Sequence, residues 1–196
     1  SREVPWCLAL NDEHGPRNMP AQEYAAISPA QRGDLFRSLA ASAANGQYRF
    51  VYDAYPMPRA YLEGRDPGLL LHALLEFLNS PNYLAFMRAL TGEQGIRRVT
   101  AQATAYRPGQ FLRTHSDIDS QEGRLFAFVL NLSRTWQADW GGLLHFLDDA
   151  GAITATFMPH WNTMTLFKVP TPHLVSMVMP WAEQERLAIT GWLLSN

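Results

Sequence analysis

An imidazole and a carboxylate stand two residues apart in the segment 111–117, as His115 and Asp117. On a β-strand, residues i and i+2 point to the same face, so both side chains could reach one metal ion. A His-x-Asp pair arises by chance in roughly one chain in four of this composition, so the pair alone is a weak signal. Asp119 is a rival carboxylate, but four residues along a strand span about 13 Å, and it would need a turn to return to His115.

A third ligand is expected from another part of the chain. Two histidines and one carboxylate on one face of an octahedral ion leave three positions for a cosubstrate and oxygen. We select His173, which follows the segment 169–172 with its two prolines and precedes a β-type run. Prolines exclude a central strand, so His173 should lie at a sheet edge where a pocket can open. The alternative is a turn histidine without a metal.

The segment 185–194 places an arginine in a β-type run. Alternation puts Arg186, Thr190 and Trp192 on one face and apolar residues on the other. Burying a guanidinium costs several kcal/mol unless it is paired, and no acidic residue occupies an obvious pairing position on this strand. An external carboxylate would supply the partner through two hydrogen bonds. An arginine on an exposed edge strand is the alternative.

The first half of the chain is predicted to be mainly helical. Residues 1–26 show little periodicity and are expected to form an irregular arm. Ser28 and Pro29 begin a helix over 30–44, and residues 47–55 alternate like a strand. Two further helices are expected to begin at 66–67 and 80–81, the second ending before Gly92, and the three long helices should pack as one layer.

The second half has a sequence pattern typical of β-structure. Eight short runs are separated by turn residues: 96–106, 111–117, 124–132, 142–147, 152–158, 163–168, 174–179 and 185–194. Such spacing indicates a double-sheet jelly roll or a small barrel. We expect a single domain over 1–196, in which 1–95 provides helical support with one or more added strands and 96–196 forms the β core.

Composition limits the function. The 196 residues include 47% hydrophobic and 17% charged residues, which is typical of a globular protein. The net charge of -2 disfavours nucleic acid as a partner. Cys7 is the only cysteine, which excludes an intrachain disulfide and a Cys-rich zinc module and suits the cytoplasm. No stretch approaches the roughly 18 apolar residues of a membrane span, so no membrane partner is expected.

Six short motifs follow one another along the second half of the chain. They are residues 106–112 before the His-x-Asp pair, Leu130-Asn131 with Trp136, Gly141-Gly142-x-Leu144-x-Phe146, residues 162–167, His173 with Val175 and Val178, and Arg186-x-Ala188-Ile189-Thr190-x-Trp192. Together, over residues 101–194, they resemble the prolyl-hydroxylase-type branch of the 2-oxoglutarate and iron(II)-dependent oxygenases. The helical half shows no comparable match.

The resemblance implies a fold and a set of roles. The fold is mainly β with flanking helices: a double-stranded β-helix, or jelly roll, with an N-terminal helical layer packed on one sheet. His115, Asp117 and His173 match the iron ligands and catalytic centre. Arg186 matches the residue that pairs with the far carboxylate of 2-oxoglutarate, and Tyr106 matches a donor to the same group. Thr190 and Trp192 match pocket walls, with Thr190 on the cosubstrate side.

Two further side chains are candidates for the substrate pocket from their position alone. His145 lies near Gly141-Gly142 on a predicted strand and could be a ligand or a substrate contact, although a structural histidine is the favoured alternative. Asn131 lies next to a turn and could bond a backbone group instead. One departure from the family pattern is the spacing of thirteen residues from His173 to Arg186, which a turn at 179–182 could absorb.

The implied function is hydroxylation by an Fe(II) dioxygenase that consumes 2-oxoglutarate and O₂, with ascorbate as an accompanying reductant. The expected substrate is a prolyl residue or a related amino-acid-like group, carried by a protein or a small molecule. Two alternatives stay open: a 2-oxoglutarate oxygenase with another substrate such as nucleic acid, and a non-catalytic cupin-like jelly roll that binds a metal or ligand. The sequence does not determine the oligomeric state.

Overall fold

The computed structural model describes residues 3–119 and 121–196. The strands of these residues are β1 (Cys7–Asp12), β2 (Gly15–Pro20), β3 (Phe50–Pro56), β4 (Arg98–Tyr106), β5 (Phe111–His115), β6 (Arg124–Asn131), β7 (Leu144–Leu147), β8 (Ile153–Phe157), β9 (Thr163–Lys168), β10 (His173–Val175) and β11 (Arg186–Leu194). The helices are α1 (Ala21–Ala26), α2 (Pro29–Ala44), α3 (Met57–Leu62), α4 (Leu70–Leu78) and α5 (Pro81–Thr91), with a short 3₁₀ turn at Ala138–Trp140.

The strands form one curled antiparallel sheet with two four-stranded halves. One half has the order β4-β11-β6-β9, and the other has the order β8-β7-β10-β5. From β4 to β11 the chain passes repeatedly from one half to the other. This winding is that of a double-stranded β-helix, so the predicted fold class is confirmed.

Strand β3 connects the two halves of the sheet. Val51 pairs with Leu10 of β1 and with Phe111 of β5, so β1 and β5 lie on opposite edges of β3. The same edge that contacts β5 continues along β4, from the pair Asp53 and Ala105 onward. A strand of the N-terminal half therefore sits where the two halves of the β-helix meet.

All eight β-type runs predicted in the second half contain strands, and β9 has the predicted bounds of 163–168. Two ends differ. Strand β5 stops at His115 rather than at residue 117, and β10 occupies 173–175 rather than 174–179. Beyond β10, Val178 exchanges backbone hydrogen bonds with the turn between β4 and β5 and bridges to Gly141. These contacts take the place of the regular strand pairing predicted for residues 176–179.

The prediction of an irregular arm over residues 1–26 is wrong for 7–26. Residues 7–20 form the hairpin of β1 and β2, which adds to the sheet through β3. Residues 8–11 are all buried, so β1 lacks the alternation that marks a half-exposed strand. Pro16 and Pro20 lie on β2, which pairs only with β1 among the described strands, and an edge strand tolerates proline because its outer N–H needs no partner.

Helix α2 begins as the sequence predicts. Ser28 accepts a hydrogen bond from the Gln31 backbone, and the Gln31 side chain accepts one from Ser28 in return. Helix α5 likewise begins after Ser80 and ends at Gly92, which adopts φ 73°. The short helix α3 was not predicted from the sequence.

The long helices do not share one layer as expected. Leu39 and Ala43 of α2 pack with the cluster around Leu8, Leu10 and Val51. Helices α4 and α5 pack instead on a second cluster, which includes residues of β4, β6 and β11. The helical support is therefore divided into two groups. None of the helices in the described residues is both long and apolar enough to cross a membrane.

Candidate metal centre and cosubstrate pocket

Three side chains predicted to be ligands lie together. One ligand atom from each of His115, Asp117 and His173 lies within 4.8 Å of the others. The two histidines are cross-strand partners on β5 and β10, with ring centroids 4.1 Å apart. Nε2 of His115 is 3.2 Å from Asp117 Oδ1, and Nε2 of His173 is 3.5 Å from Asp117 Oδ2. The carboxylate therefore faces both imidazoles, as one ion between them would require.

Asp117 reaches this position by a different route from the one the sequence suggested. Strand β5 ends at His115, so strand alternation does not bring the pair together. Asp117 instead adopts φ 60°, a left-handed conformation in which aspartate is better tolerated than most residues. The turn directs the carboxylate back towards His115. The rival Asp119 does not join the cluster, and its side chain accepts hydrogen bonds from the Gln121 and Glu122 backbone.

Backbone carbonyls set the orientation of both imidazoles. Nδ1 of His115 donates to the carbonyl of Arg113 at 3.0 Å, and Nδ1 of His173 donates to the carbonyl of Thr171 at 2.8 Å. Since a carbonyl only accepts, Nδ1 of each ring carries a proton, so Nε2, on the side of Asp117, is the nitrogen available to bind a metal. Burial, followed by the charge of His115, lowers the pKa of His173 to about 4. A neutral imidazole with a free Nε2 is the form that binds metals.

Asp117 is held as a carboxylate in spite of its burial. Burial alone raises the pKa of Asp117, but the hydrogen bond from His115 and the positive charge that each histidine carries when protonated outweigh this and lower it. The indole N–H of Trp192 also lowers the pKa of Asp117, although no hydrogen bond of normal geometry joins the two groups. The guanidinium of Arg124 lies 3.9 Å above the Trp192 ring and donates to the Asp117 carbonyl at 3.4 Å.

Arg186 is the buried cation that the sequence suggested. It is 1% exposed, its Nε has no hydrogen-bond partner, and no carboxylate of the described residues forms a salt bridge with it. Burial lowers the pKa of Arg186, because desolvation disfavours the charged form. Its guanidinium carbon lies 5.3 Å from the centre of the Tyr106 ring, and the two residues are directly paired across β11 and β4.

A cavity of about 530 Å³ contains both groups of residues. His115, Asp117 and His173 line it together with Arg186 and Tyr106, and Thr190 and Trp192 also line it. Burial raises the pKa of Tyr106 well above its usual range, so its hydroxyl remains a proton donor. Seven of the side chains singled out in the sequence thus face one cavity enclosed by the two halves of the sheet.

The other two candidates do not line this cavity. His145 is on β7, where Leu144 lines the cavity and Phe146 contacts His173. Alternation turns His145 to the opposite face, where its Nδ1 is 2.9 Å from the Thr156 hydroxyl. Asn131 is buried and donates to the Thr163 hydroxyl at 3.4 Å. The structure therefore does not bring either residue to the predicted substrate pocket.

Sequence reasoning missed a group of aromatic residues on and before β3. Tyr48, Phe50 and Tyr52, here called the aromatic wall, line the cavity, and successive rings in the wall lie 5.8 Å and 5.5 Å apart. At one end Tyr48 lies 5.7 Å from the His115 ring, and at the other Tyr52 stacks on Tyr106 at 5.0 Å. Their i, i+2, i+4 spacing in a predicted strand was the available signal, because it places all three on one face.

The residues present fit an iron ion and 2-oxoglutarate. Two neutral histidines and one carboxylate are a ligand set that iron(II) accepts while leaving positions open. The buried guanidinium of Arg186 lacks an anion in the same cavity, and a dicarboxylate that chelates the metal could place its second carboxylate there. The fit to iron rests on the cluster of two histidines and one aspartate, and the fit to 2-oxoglutarate rests on the unpaired guanidinium of Arg186.

The double-stranded β-helix and its two-histidine, one-carboxylate cluster define the class of non-haem iron oxygenases with this fold. Residues 101–194 match the model of the 2OG-Fe(II) oxygenase superfamily. These residues make up just under half of the chain, and over them it is similar to that superfamily, whose enzymes use iron(II), 2-oxoglutarate and O₂. The sequence-based resemblance is thereby confirmed.

Curated relatives match a short part of the chain. Prolyl 3-hydroxylase OGFOD1 from Mus musculus is 37% identical over 81 residues, which is 38% of this chain and 15% of the relative. The protein of the same name from Xenopus laevis is also 37% identical over 81 residues, with 16% of its length covered. The match thus spans less than a fifth of these relatives.

Solved structures share the fold over a larger part. A prolyl 4-hydroxylase from Phytophthora capsici superposes with a TM-score of 0.56 and 20% identity, covering 72% of this chain and 47% of that one. A 2OG-Fe(II) oxygenase family oxidoreductase from Burkholderia pseudomallei gives a TM-score of 0.54 and 19% identity, covering 64% and 56%. At these identities the likeness establishes the fold.

Proposed function

We propose that this protein is a 2-oxoglutarate- and O₂-dependent iron(II) dioxygenase that hydroxylates a prolyl residue of a protein or peptide, or a closely related amino-acid-like group. The observation that carries the proposal is the buried, unpaired Arg186 in the same cavity as the cluster of two histidines and one aspartate. An unpaired buried cation is costly, and a required anionic cosubstrate gives it a function.

Each residue of the site has a defined task in this proposal. His115, Asp117 and His173 hold the iron, and the carbonyls of Arg113 and Thr171 keep the two imidazoles in the ligating tautomer. Arg186 binds the far carboxylate of 2-oxoglutarate, and the protonated Tyr106 hydroxyl donates to the same group. When bound, the iron and cosubstrate supply the chemistry that activates O₂ and places one oxygen atom on the substrate, with succinate and CO₂ as co-products.

The prolyl substrate is supported by the curated relatives. Both are named prolyl 3-hydroxylases, and they share 37% identity with this chain over 81 residues. A protein or peptide is accordingly the proposed partner, with iron(II), 2-oxoglutarate and O₂ as the reaction requirements and ascorbate as the expected reductant. Near-neutral charge makes nucleic acid the less favoured substrate.

Anaerobic titration with iron(II) and 2-oxoglutarate tests the enzyme class. Binding of the cosubstrate to the metal should produce a weak visible charge-transfer band, and adding O₂ with a prolyl peptide should release succinate. A protein that binds metal but produces neither band nor succinate would instead be a non-catalytic jelly roll.

Replacement of Asp117 tests the metal centre. We expect Asp117→Asn to lower the iron affinity by more than the ~10–100-fold typical of changing a partner that lies outside the ligand set. Asparagine tolerates left-handed backbone, so this variant should fold normally, whereas Asp117→Ala adds backbone strain. Iron binding is measured by equilibrium dialysis and succinate by chromatography; full substrate-stimulated succinate formation in either variant would refute the site.

A further inference from the structure

The aromatic wall lies outside the part of the chain that matches the oxygenase family. Its residues are 48–52, whereas the family match begins at residue 101. The wall nevertheless spans the cavity from the His115 ring to Tyr106, beside Arg186. A substrate positioned near the metal would therefore lie against a surface supplied by the N-terminal half.

The wall carries no charge, and the charged side chains of the cavity already have partners or assigned ligands. Asp117 faces the two histidines, and Arg186 is assigned to the cosubstrate. Arg124 pairs with Glu122 at 2.7 Å. Asp119 accepts two backbone N–H groups and lies 3.9 Å from Arg124. Among the described residues lining the cavity, no charged group is left to neutralise a substrate ammonium or carboxylate.

A prolyl residue within a peptide suits such a surface better than free proline. Free proline carries an ammonium and a carboxylate, and each would lose its hydration without gaining a partner. In a peptide both ends are amides, and the prolyl nitrogen has no N–H to leave unsatisfied. The saturated ring can also pack flat on an aromatic face, which adds attraction beyond simple burial.

The mouth of the cavity is open enough for a chain to enter and leave. Tyr48 is 42% exposed and Ile118 is 71% exposed, and both line the cavity. Pro16, from the β1–β2 hairpin, lines it as well. These apolar groups at the opening can contact residues on either side of a prolyl ring.

We propose that the aromatic wall of Tyr48, Phe50 and Tyr52 is the specificity-determining surface of this enzyme, which selects an uncharged prolyl residue within a peptide over the free amino acid. The inference rests on the proposed function and deepens it. Tyr48, at the exposed end of the wall and beside the His115 ring, makes the contact with the substrate ring.

Calorimetry tests the proposal without depending on turnover. A terminally blocked peptide with one central proline, or free L-proline, is titrated anaerobically into the protein loaded with iron(II) and 2-oxoglutarate. The wild-type protein should bind the blocked peptide at least about tenfold more tightly than free proline, since the free amino acid must desolvate two unpaired charges.

Variants of Tyr48 identify the surface. Tyr48→Ala should raise the Kd of the blocked peptide by roughly 3- to 10-fold, and Tyr48→Phe, which keeps the ring, by about twofold or less. Tyr61→Ala is the matched control, because Tyr61 is also 42% exposed but lies on α3 outside this cavity. It should leave the Kd of the peptide unchanged.

Two measurements separate failure of the inference from failure of the proposed function. Thermal denaturation and the anaerobic charge-transfer band show whether each variant is folded and binds 2-oxoglutarate. Three results obtained with a normal band would overturn the inference and leave the oxygenase class standing. They are no peptide binding by the wild type, equal Kd values for wild type and Tyr48→Ala, and equal binding of the peptide and free proline. Absence of the band in the wild type overturns the proposed function, while the peptide titration still decides whether the wall binds prolyl rings.

Discussion

Arg186 is a residue whose burial opposes stability and which, in the proposed function, supports binding of the cosubstrate. Its guanidinium is 1% exposed, stands over the Tyr106 ring and has no carboxylate partner among the described residues. Burial of a charge without a partner destabilises the folded state. The protein without ligand should therefore become more stable when this charge is removed, and its affinity for the anionic cosubstrate should fall.

Arg186→Met tests this opposition. Methionine keeps much of the side-chain length, and we expect the Tm of the ligand-free protein to rise by about 2–4 °C for each kcal/mol of relieved desolvation. The Kd for 2-oxoglutarate should rise roughly 30-fold or more, because a buried charge pair can no longer form. Calorimetry and thermal denaturation measure the two effects. Exposed Arg97→Met is the control, and unchanged 2-oxoglutarate affinity in the Arg186 variant would exclude the anchor role.

His173 links the stability of the metal-free protein to pH. Burial, followed by the charge of His115, lowers the pKa of His173 to about 4, whereas the unfolded chain should show the ordinary value near 6.5. Below pH 6.5 the unfolded state takes up the proton first. The contribution of His173 to the free energy of unfolding is therefore complete above about pH 6.5. It decreases progressively below that value and is fully lost once the pH has fallen through about 4.

Urea unfolding of the metal-free protein measures this dependence. The contribution lost from His173 should reach roughly 2 kcal/mol by about pH 5, and His173→Gln should show a correspondingly smaller decrease between about pH 7 and pH 5. An equally steep decrease in both proteins would show that His173 is not the responsible group.

At the scale of the element, β11 is the strand on which the proposed cosubstrate site depends. It carries Arg186, Thr190 and Trp192, and it lies between β4 and β6 in the centre of one half of the sheet. At Gly191 the strand approaches β4 so closely that an added Cβ would lie 2.0 Å from the Thr100 carbonyl oxygen. A side chain at this position must push the two strands apart.

Gly191→Ala should consequently lower the Tm by roughly 4–10 °C, as expected for overpacking in a protein of this size. Gly68→Ala is the matched control, because nothing lies within 4 Å of the corresponding Cβ, and its Tm should change by about 2 °C or less. Differential scanning calorimetry measures both. Equal Tm values for wild type and Gly191→Ala would mean that β11 can move without cost.

At the scale of the whole molecule, the N-terminal half is part of the same structure as the β core. Strand β3 pairs with both β4 and β5, and Arg107 forms ion pairs with Asp53 of β3 and with Glu185, the residue before β11. The aromatic wall also comes from this half. We propose that residues 1–95 and 96–196 fold as a single domain.

A single cooperative unfolding transition is the expected outcome of that arrangement. The α-helices lie within 21–91, so far-UV circular dichroism reports mainly on the first half. Five of the six tryptophans lie within 136–192, so their fluorescence reports on the second. The two signals should give coincident urea midpoints. Separate midpoints would show that the halves unfold independently.

Local patterns were sufficient for much of this molecule. Turn residues and alternation located the eight strands of the second half, and Ser28, Ser80 and Gly92 marked helix ends. These local patterns did not predict the structure where a strand is buried on both faces or where a single dihedral angle sets the direction of the chain. Strand β1 has no alternation because residues 8–11 are all buried, and the turn at Asp117 depends on one left-handed residue.

The sequence by itself determined the chemical groups that are present: the types and order of the proposed ligands, the arginine in a strand, and the β-rich pattern of residues 96–196. Only the tertiary structure decided which side chains share a cavity. It placed the aromatic wall beside His115 and turned His145 and Asn131 away. The physical reason is that residue type and spacing act locally, whereas the curl of the sheet and the pairing of β3 with β4 and β5 depend on packing between distant segments.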